Sequence, residues 1–387
     1  MGNLHNLTAG EMVYRASETA ATSGTAGAAS KMWLPIWSGE VIHAYDEYNV
    51  LESLVDSKTI SSGREMQFPV TGTVNLNPAW DAGEELSGDG SSTSGTFSVQ
   101  LDKRPIASHF EIDNVDLMLT QWEFRSELAR QAGLTLANTR DKQIYAYLCR
   151  ASAEAKLTHD PRSGLTLHEG FNGSEYDNFG LSTASTSDRT TAALAYLQDL
   201  EDFVVHLQEN DIPTEGVTSV VQPRAFQDIR ALGVARSASD AVNAQPMFGG
   251  VAQAGGLGAP FTQGMNKLGD TMEYMGVTIV KSNHVLTDNK TGGVDEIGGA
   301  RYNLNFQNSQ IKSVTWQKNA VAALKLQGLK VDTVDDIRRN TVFTVASMMA
   351  GTGVLRPECA TFHSSDSTAG RSDMRTKLGM TVEYDDA

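Results

Sequence analysis

An α+β fold organised around one long helix is what the sequence predicts, and three observations carry that expectation. Residues 120–152, TQWEFRSELARQAGLTLANTRDKQIYAYLCRAS, form the longest uninterrupted helical pattern in the chain. Met66, Phe68, Val70, Gly72, Val74 and Leu76, and later Phe97, Val99 and Leu101, alternate with period two, the mark of strands with two distinct faces. Further on, helix and strand patterns alternate between residues 194 and 280, which makes a mixed α/β lobe.

The long helix begins at Thr120, where the Thr hydroxyl and Glu123 carboxylate form a capping box. Phe124, Leu128, Ala132, Leu136, Ile144 and Leu148 make one apolar stripe, while Arg125, Arg130, Arg140, Asp141 and Lys142 fall largely elsewhere, so one face is expected to be buried. At about 1.5 Å per residue the helix is about 45 Å long, a spine on which several sheets or loops lean. Gly133 costs it roughly 1 kcal/mol. Cys149 lies beside the stripe and reads as a small core residue.

Bulk properties limit what this spine serves. The 387 residues, 40% hydrophobic and 20% charged, suffice for a substantial core in two or more lobes. Lys and Arg total 31 against 47 for Asp and Glu, a net charge of -16, which opposes broad contact with phosphate backbones or anionic membranes. Any nucleic acid nearby is enclosed rather than gripped. Cys149 and Cys359 have no metal-ligand spacing, no apolar run reaches the length of a membrane span, and MGNLHNLTAG is no secretion signal, so synthesis in a reducing, intracellular site is expected.

Residues 1–58 read as an arm: ETAATSGTAGAAS at 18–30 cannot fold alone, and the bulky groups that follow, Trp33 and Trp37 among them, anchor its end. It is either a simple terminal extension or an arm that orders on a neighbour. Residues 59–112 read as a long two-stranded hairpin, turning at Ile60–Arg64 and carrying a polar, acidic tip with Trp80, Glu84 and Glu85. Such a hairpin is marginal alone in water and needs something to lie on, a neighbouring molecule being the economical candidate.

Trp37-Ser38-Gly39-Glu40-Val41, Ile60-Ser61-Ser62-Gly63, Gln67-Phe68-Pro69-Val70 with Gly72, and Gly83-Glu84-Glu85-Leu86, followed by a long helix, resemble the major capsid protein of short-tailed bacteriophages. The resemblance returns at Lys318-Asn319-Ala320-Val321, Leu324-Lys325-Leu326 and Ala350-Gly351-Thr352-Gly353-Val354-Leu355-Arg356-Pro357-Glu358. It implies the capsid fold of tailed phages and herpesviruses: arm 1–58, extended loop 59–112, peripheral domain 113–190 with the spine, axial domain 191–317, a return to the peripheral domain over 318–362 and a tail 363–387. It also implies self-assembly through pentamers and hexamers into an icosahedral virion shell, put together in the host cytoplasm with a scaffolding protein and a portal. That shell encloses double-stranded DNA without sequence-specific binding, and decoration proteins are admitted as further partners. Trp33, Trp37, Arg64, Phe68, Trp80, Glu84, Glu85, Arg338 and Arg339 are the candidate inter-subunit contacts. Membranes, cofactors and metals have no part in this reading.

The remaining segments fit that layout. Residues 156–188 read as a connection, 194–210 and 223–232 as helices, and 217–221 and 276–280 as strands. Residues 245–268 form a glycine-rich loop. Ala320 to Leu329 reads as a strand, Val331 to Asp336 as a polar stretch, Val342 to Met349 as a buried apolar run, and Gly351-Thr352-Gly353 as a turn. Arg338 and Arg339 pair with Asp335 or Asp336, or across a subunit boundary. The tail from His363 is either mobile or partner-binding.

No GxSxG elbow, P-loop, HExxH or EF-hand loop is present. His159 with Asp160, and Glu84 with Glu85, are the nearest acid/base pairs, and adjacent residues on a strand point to opposite faces. The chain is therefore expected to have no enzymatic activity. Two other classes stand beside the capsid reading: the shell of a bacterial nanocompartment with the same fold, and an acidic intracellular hydrolase with an unfamiliar site, which a sizing column would reveal as a small oligomer.

Overall fold

The computed structural model describes residues 40–71, 83, 94–115, 124–154, 174–175, 186–232, 271–287, 297, 300–336, 338–365 and 371–380. Helix α1 (residues 40–48) leads through a 3-10 turn at Glu52–Leu54 into β1 (Asp56–Thr59). Strands β2 (Glu65–Thr71), β3 (Ser94–Gln100) and β4 (Ile106–Asp113) precede the spine, α2 (Phe124–Ala153). Then come β5 (Ser174–Glu175), α3 (Thr186–Glu209), β6 (Val217–Val221), α4 (Pro223–Leu232), β7 (Thr271–Tyr274) and β8 (Val277–Lys281). The chain closes with α5 (Phe306–Ser309), β9 (Ile311–Gln317), β10 (Val321–Asp336), β11 (Thr341–Val354), β12 (Ala360–Ser364) and α6 (Arg371–Lys377).

These strands make a four-stranded sheet, β1-β10-β11-β4, a six-stranded sheet, β5-β12-β9-β6-β8-β7, and a separate two-stranded ribbon, β2-β3. The spine packs on β4, β10 and β11 of the first sheet and on β9 and β12 of the second. It is therefore wedged, and the single buried face expected from the stripe is too narrow a picture. Gln143 through Cys149 are all buried, and so are Arg140 and Asp141, each 0% exposed. Over that stretch the helix is covered on all sides and has no polar face for periodicity to reveal, whereas Arg130, Gln131 and Thr135 of its first half are exposed.

Gly133 has a positive reason to be in this helix. A Cβ there would lie 2.6 Å from the Val41 carbonyl oxygen and 2.9 Å from Ala44 Cβ, so the glycine lets α1 cross the spine backbone to backbone.

Strands β6 and β8 and helix α4 form where the sequence places them, and α3 ends at Glu209, ahead of Pro213. Strand β7 is an addition, joined to β8 through Met275 and Gly276, whose positive φ values of 50° and 80° suit a two-residue turn. Several expectations need correction. Strand β4 leaves the hairpin and pairs with β11 from Thr341↔Asp113 to Met348↔Ile106. Residues Val331–Asp336 continue β10, because an alternating strand needs apolar groups on one face only. The run Val342–Met349 is buried on alternate residues, not throughout. Gly351-Thr352-Gly353 is no turn but the closing stretch of β11: a Cβ on Gly351 would sit 2.3 Å from the Gln100 carbonyl oxygen, and one on Gly353 2.7 Å from Val99 Cγ2. The glycines mark the place where β3 crosses β11. Residues 363–365 and 371–380 of the tail are docked, with His363, Arg371, Met374 and Leu378 buried. The Thr120 cap, the 245–268 glycine loop, His159 with Asp160, and most of the 156–188 connection lie outside the described residues.

Candidate functional site

The hairpin is built from its root outward. Strands β2 and β3 pair antiparallel from Glu65↔Gln100 to Thr71↔Ser94. Phe68, Val99 and Leu101 bury against Ala322, Leu324 and Leu355 of the same chain, and the Lys58 ammonium stands 4.6 Å over the Phe68 ring. At the base, Ile60 N–H donates to the Lys325 carbonyl at 2.8 Å, Leu101 N–H to that of Arg64 at 2.8 Å, and Asp102 N–H to that of Ala350 at 3.0 Å. The root is thus stitched to β10 and β11 by backbone bonds.

Beneath the root lie two buried charged anchors. The Asp102 carboxylate accepts from Tyr302 Oη at 2.8 and 2.9 Å and from Arg301 Nη1 at 3.2 Å. Arg301 donates in addition to the carbonyls of Gln100 and Thr352 and to Tyr147 Oη, so one guanidinium joins hairpin, sheet and spine. Burial pushes the Asp102 carboxyl above its ordinary range even though Arg301 and Tyr302 oppose the shift.

The second anchor is Arg140 on the spine. It donates to Thr352 Oγ1 at 3.0 Å and to the Gly351 carbonyl at 3.2 Å, and its Nε lies 3.5 Å from Glu52 Oε1. Glu52 also receives Lys325 Nζ at 2.9 Å and Tyr45 Oη at 3.0 Å. Burial raises the Glu52 carboxyl, but Arg140 and Lys325 outweigh it and hold it below its ordinary value. The adjoining Asp141 accepts the Val50 and Leu51 amides at 3.1 Å and faces His284 Nδ1 at 2.7 Å. Gln143 donates to the Ile297 carbonyl at 2.7 Å. Three neighbouring spine residues, Arg140, Asp141 and Gln143, therefore tie the N-terminal segment, the hairpin root and the chain beyond β8 together.

One other cluster has the order of a hydrolase triad. His363 Nδ1 lies 2.7 Å from Asp199 Oδ2, His363 Nε2 3.0 Å from Thr315 Oγ1, and Ser219 Oγ 2.8 Å beyond that. His363, Thr315 and Ser219 are each 0% exposed between the strands of the six-stranded sheet, so no substrate reaches them. The cluster satisfies buried polar groups. Among the described residues no group of His, Cys, Asp and Glu is arranged to hold a metal, and no helix is long and apolar enough to cross a membrane. Cys149 is buried, and burial pushes its thiol pKa up.

Of the sequence-derived contact residues, Trp33, Trp37, Trp80, Glu84 and Glu85 lie outside the described residues. Arg64 is exposed at the hairpin base, whereas Phe68 is in its own subunit's core at 6% exposure. Arg338 and Arg339 sit in the exposed turn between β10 and β11. There the Arg338 amide donates to Asp336 Oδ1 at 2.9 Å, and Arg339 lies 3.9 Å from both Asp336 and Glu111. Glu52, Asp102, Arg140, Asp141 and Arg301 are what sequence reasoning missed. The one available signal was Arg140, which stands where the four-residue stripe skips a step between Leu136 and Ile144.

The Gp10A-like family, described as major capsid protein, matches residues 67–363. The chain belongs to that family. Among its relatives are the major and minor capsid proteins of Escherichia phage T7, each 22% identical over 339 residues, covering 87% of this chain and 92% and 80% of theirs. Its fold is that of the capsid of Cyanophage P-SCSP1u (TM-score 0.60, 22% identity, 83% of this chain and 89% of that one) and of the mature capsid of bacteriophage PhiM1 (TM-score 0.57, 13% identity, 82% and 86%). This major capsid protein is a structural component of the phage virion and not an enzyme. The family match sets aside the nanocompartment and hydrolase readings, and the expected tailed-phage capsid fold is the one found.

Proposed function

We propose that this capsid protein closes its shell through the β2–β3 hairpin, which lies across a neighbouring subunit, with the arm before residue 40 tying a further one. The observation that carries the reading is the ribbon itself: a sheet that among the described residues has two strands and no third, pinned at its root by the Arg301 and Arg140 anchors, so that movement of a neighbour is transmitted to a rigid base. Trp33, Trp37, Arg64, Trp80, Glu84 and Glu85 supply contacts along these extensions, and Arg338 and Arg339 supply them at the β10–β11 turn; Phe68, largely used inside its own subunit, has the smallest share. Each contact is weak, and avidity replaces a single strong bond because every ring closure makes later contacts intramolecular.

Pentamers and hexamers, a scaffolding protein and a portal, with decoration proteins as further partners, complete the proposed assembly around double-stranded DNA. A net charge of -16 suits a wall that encloses DNA without gripping it. Negative-stain microscopy and a sizing column test the proposal on the purified chain, with and without the scaffolding partner. Closed shells or capsomer rings are expected from the native chain, and deletion of Pro78–Gly95 leaves a folded subunit that fails to assemble. Normal particles from the deletion variant would overturn the hairpin's role, and a small monodisperse oligomer from the native chain under every condition would overturn the assembly scheme.

A further inference from the structure

Beside the end of α6 an open pocket of about 220 Å³ is lined by Thr287, Phe306, Gln307, Gln310, Ile311 and Lys312. Lys312 is the one charged residue of that lining. Burial pushes its ammonium pKa down, and among the described residues no carboxylate offsets the shift. A half-buried ammonium is partly desolvated, so an anion placed in this pocket is favoured by it. Gln310 Oε1 already accepts from Ser365 Oγ at 3.0 Å, which leaves the Gln310 amide hydrogens as donors to the same anion.

Leu378 and Met380 bring the chain beside this place. Leu378 accepts the Asn305 amide at 3.0 Å, immediately before the α5 turn that contributes Phe306, Gln307 and Gln310, and Met380 packs on the core. The sequence continues Thr381-Val382-Glu383-Tyr384-Asp385-Asp386-Ala387, with three carboxylates and no cation. At about 3.3 Å per residue this stretch reaches about 20 Å, ample to pass one helical turn. We propose that the acidic segment Thr381–Ala387 docks in the Lys312 pocket of its own subunit, setting a carboxylate of Glu383, Asp385 or Asp386 against the Lys312 ammonium. Docking there fastens α6 to α5 and so secures the chain beyond β12.

The test is pulse acetylation of the full chain with an amine-selective reagent, read at Lys312 by peptide mass spectrometry, with the exposed Lys58 and Lys330 as internal controls. Tethering holds the segment at a millimolar effective concentration, so deleting Thr381–Ala387, or combining Glu383→Gln, Asp385→Asn and Asp386→Asn, is expected to speed Lys312 labelling by about tenfold. Unchanged Lys312 rates in both variants would overturn the proposal. Acceleration only in Asp288→Asn would overturn it too, by assigning the counter-charge to the stretch that follows Thr287. In a mixture of isotopically heavy and light chains, carbodiimide coupling of Lys312 to the segment is expected within heavy or within light chains; mixed products would overturn docking in the same subunit. All three readouts are made on unassembled chain, so they stand apart from the assembly test.

Discussion

Gly133 sets two residue-level effects against each other. Replacing it with Ala gains about 1 kcal/mol of helix propensity. The same methyl would stand 2.6 Å from the Val41 carbonyl oxygen and 2.9 Å from Ala44 Cβ, and overpacking of backbone against backbone costs about 1–3 kcal/mol. The clash wins, because neither contact atom is the end of a flexible side chain. Gly133→Ala is expected to lower the unfolding free energy measured in denaturant, and a rise would show that α1 does not need the close crossing. Sequence reasoning sees this glycine only as a helix weakness. Gly351 and Gly353 teach the same lesson, since a turn and a strand crossed by another strand select the same residue.

The decisive element-scale interaction is the cap that α6 provides for the spine. Arg371, 2% exposed, donates to the carbonyls of Ala151 and Glu154 at the end of the spine, and to those of Pro357 and Ala360. Burial pushes its pKa down to about 10, so it stays charged at neutral pH. Terminal helix carbonyls have no partner within the helix, and a buried acceptor left unsatisfied costs about 1–3 kcal/mol. Arg371→Met is expected to accelerate amide hydrogen exchange at Cys149–Glu154 far more than at Ala129–Ala137. Equal acceleration along the spine would mean that α6 contributes only general packing. The spine's existence is legible in its apolar repeat, but this cap is not, because the arginine lies more than two hundred residues from its spine partners Ala151 and Glu154 and in a stretch that reads as polar tail.

At the scale of the whole molecule, the anchors couple stability to pH with opposite signs. Glu52, held below its ordinary value of 4.5, contributes stability that is complete above 4.5 and is lost as pH falls through its folded value. Asp102, held above its ordinary 3.8, contributes most below 3.8, and that contribution is lost as pH rises through its folded value. Denaturant unfolding of the subunit across about pH 3 to 7 separates them. Glu52→Gln is expected to flatten the loss of stability on acidification, and Asp102→Asn to steepen it. An unchanged acid limb in Glu52→Gln would remove Glu52 from the coupling. Both groups sit under the hairpin root, so acid removes the Glu52 contribution there while restoring that of Asp102.

The sequence alone determined the local elements and their order: the spine, the two-stranded hairpin, the β6–α4 unit to the residue, and an ordered set of short motifs sufficient to indicate the family. These depend on periodicity and turn chemistry, which act over a few residues. Tertiary structure alone decided which charges are buried, why the glycines of the spine and β11 are glycines, and that β4 belongs with β11 instead of the hairpin. Those outcomes depend on which surfaces meet across the chain, since a charge at position 140 is solvated on an open helix and becomes an anchor only when two sheets close over it.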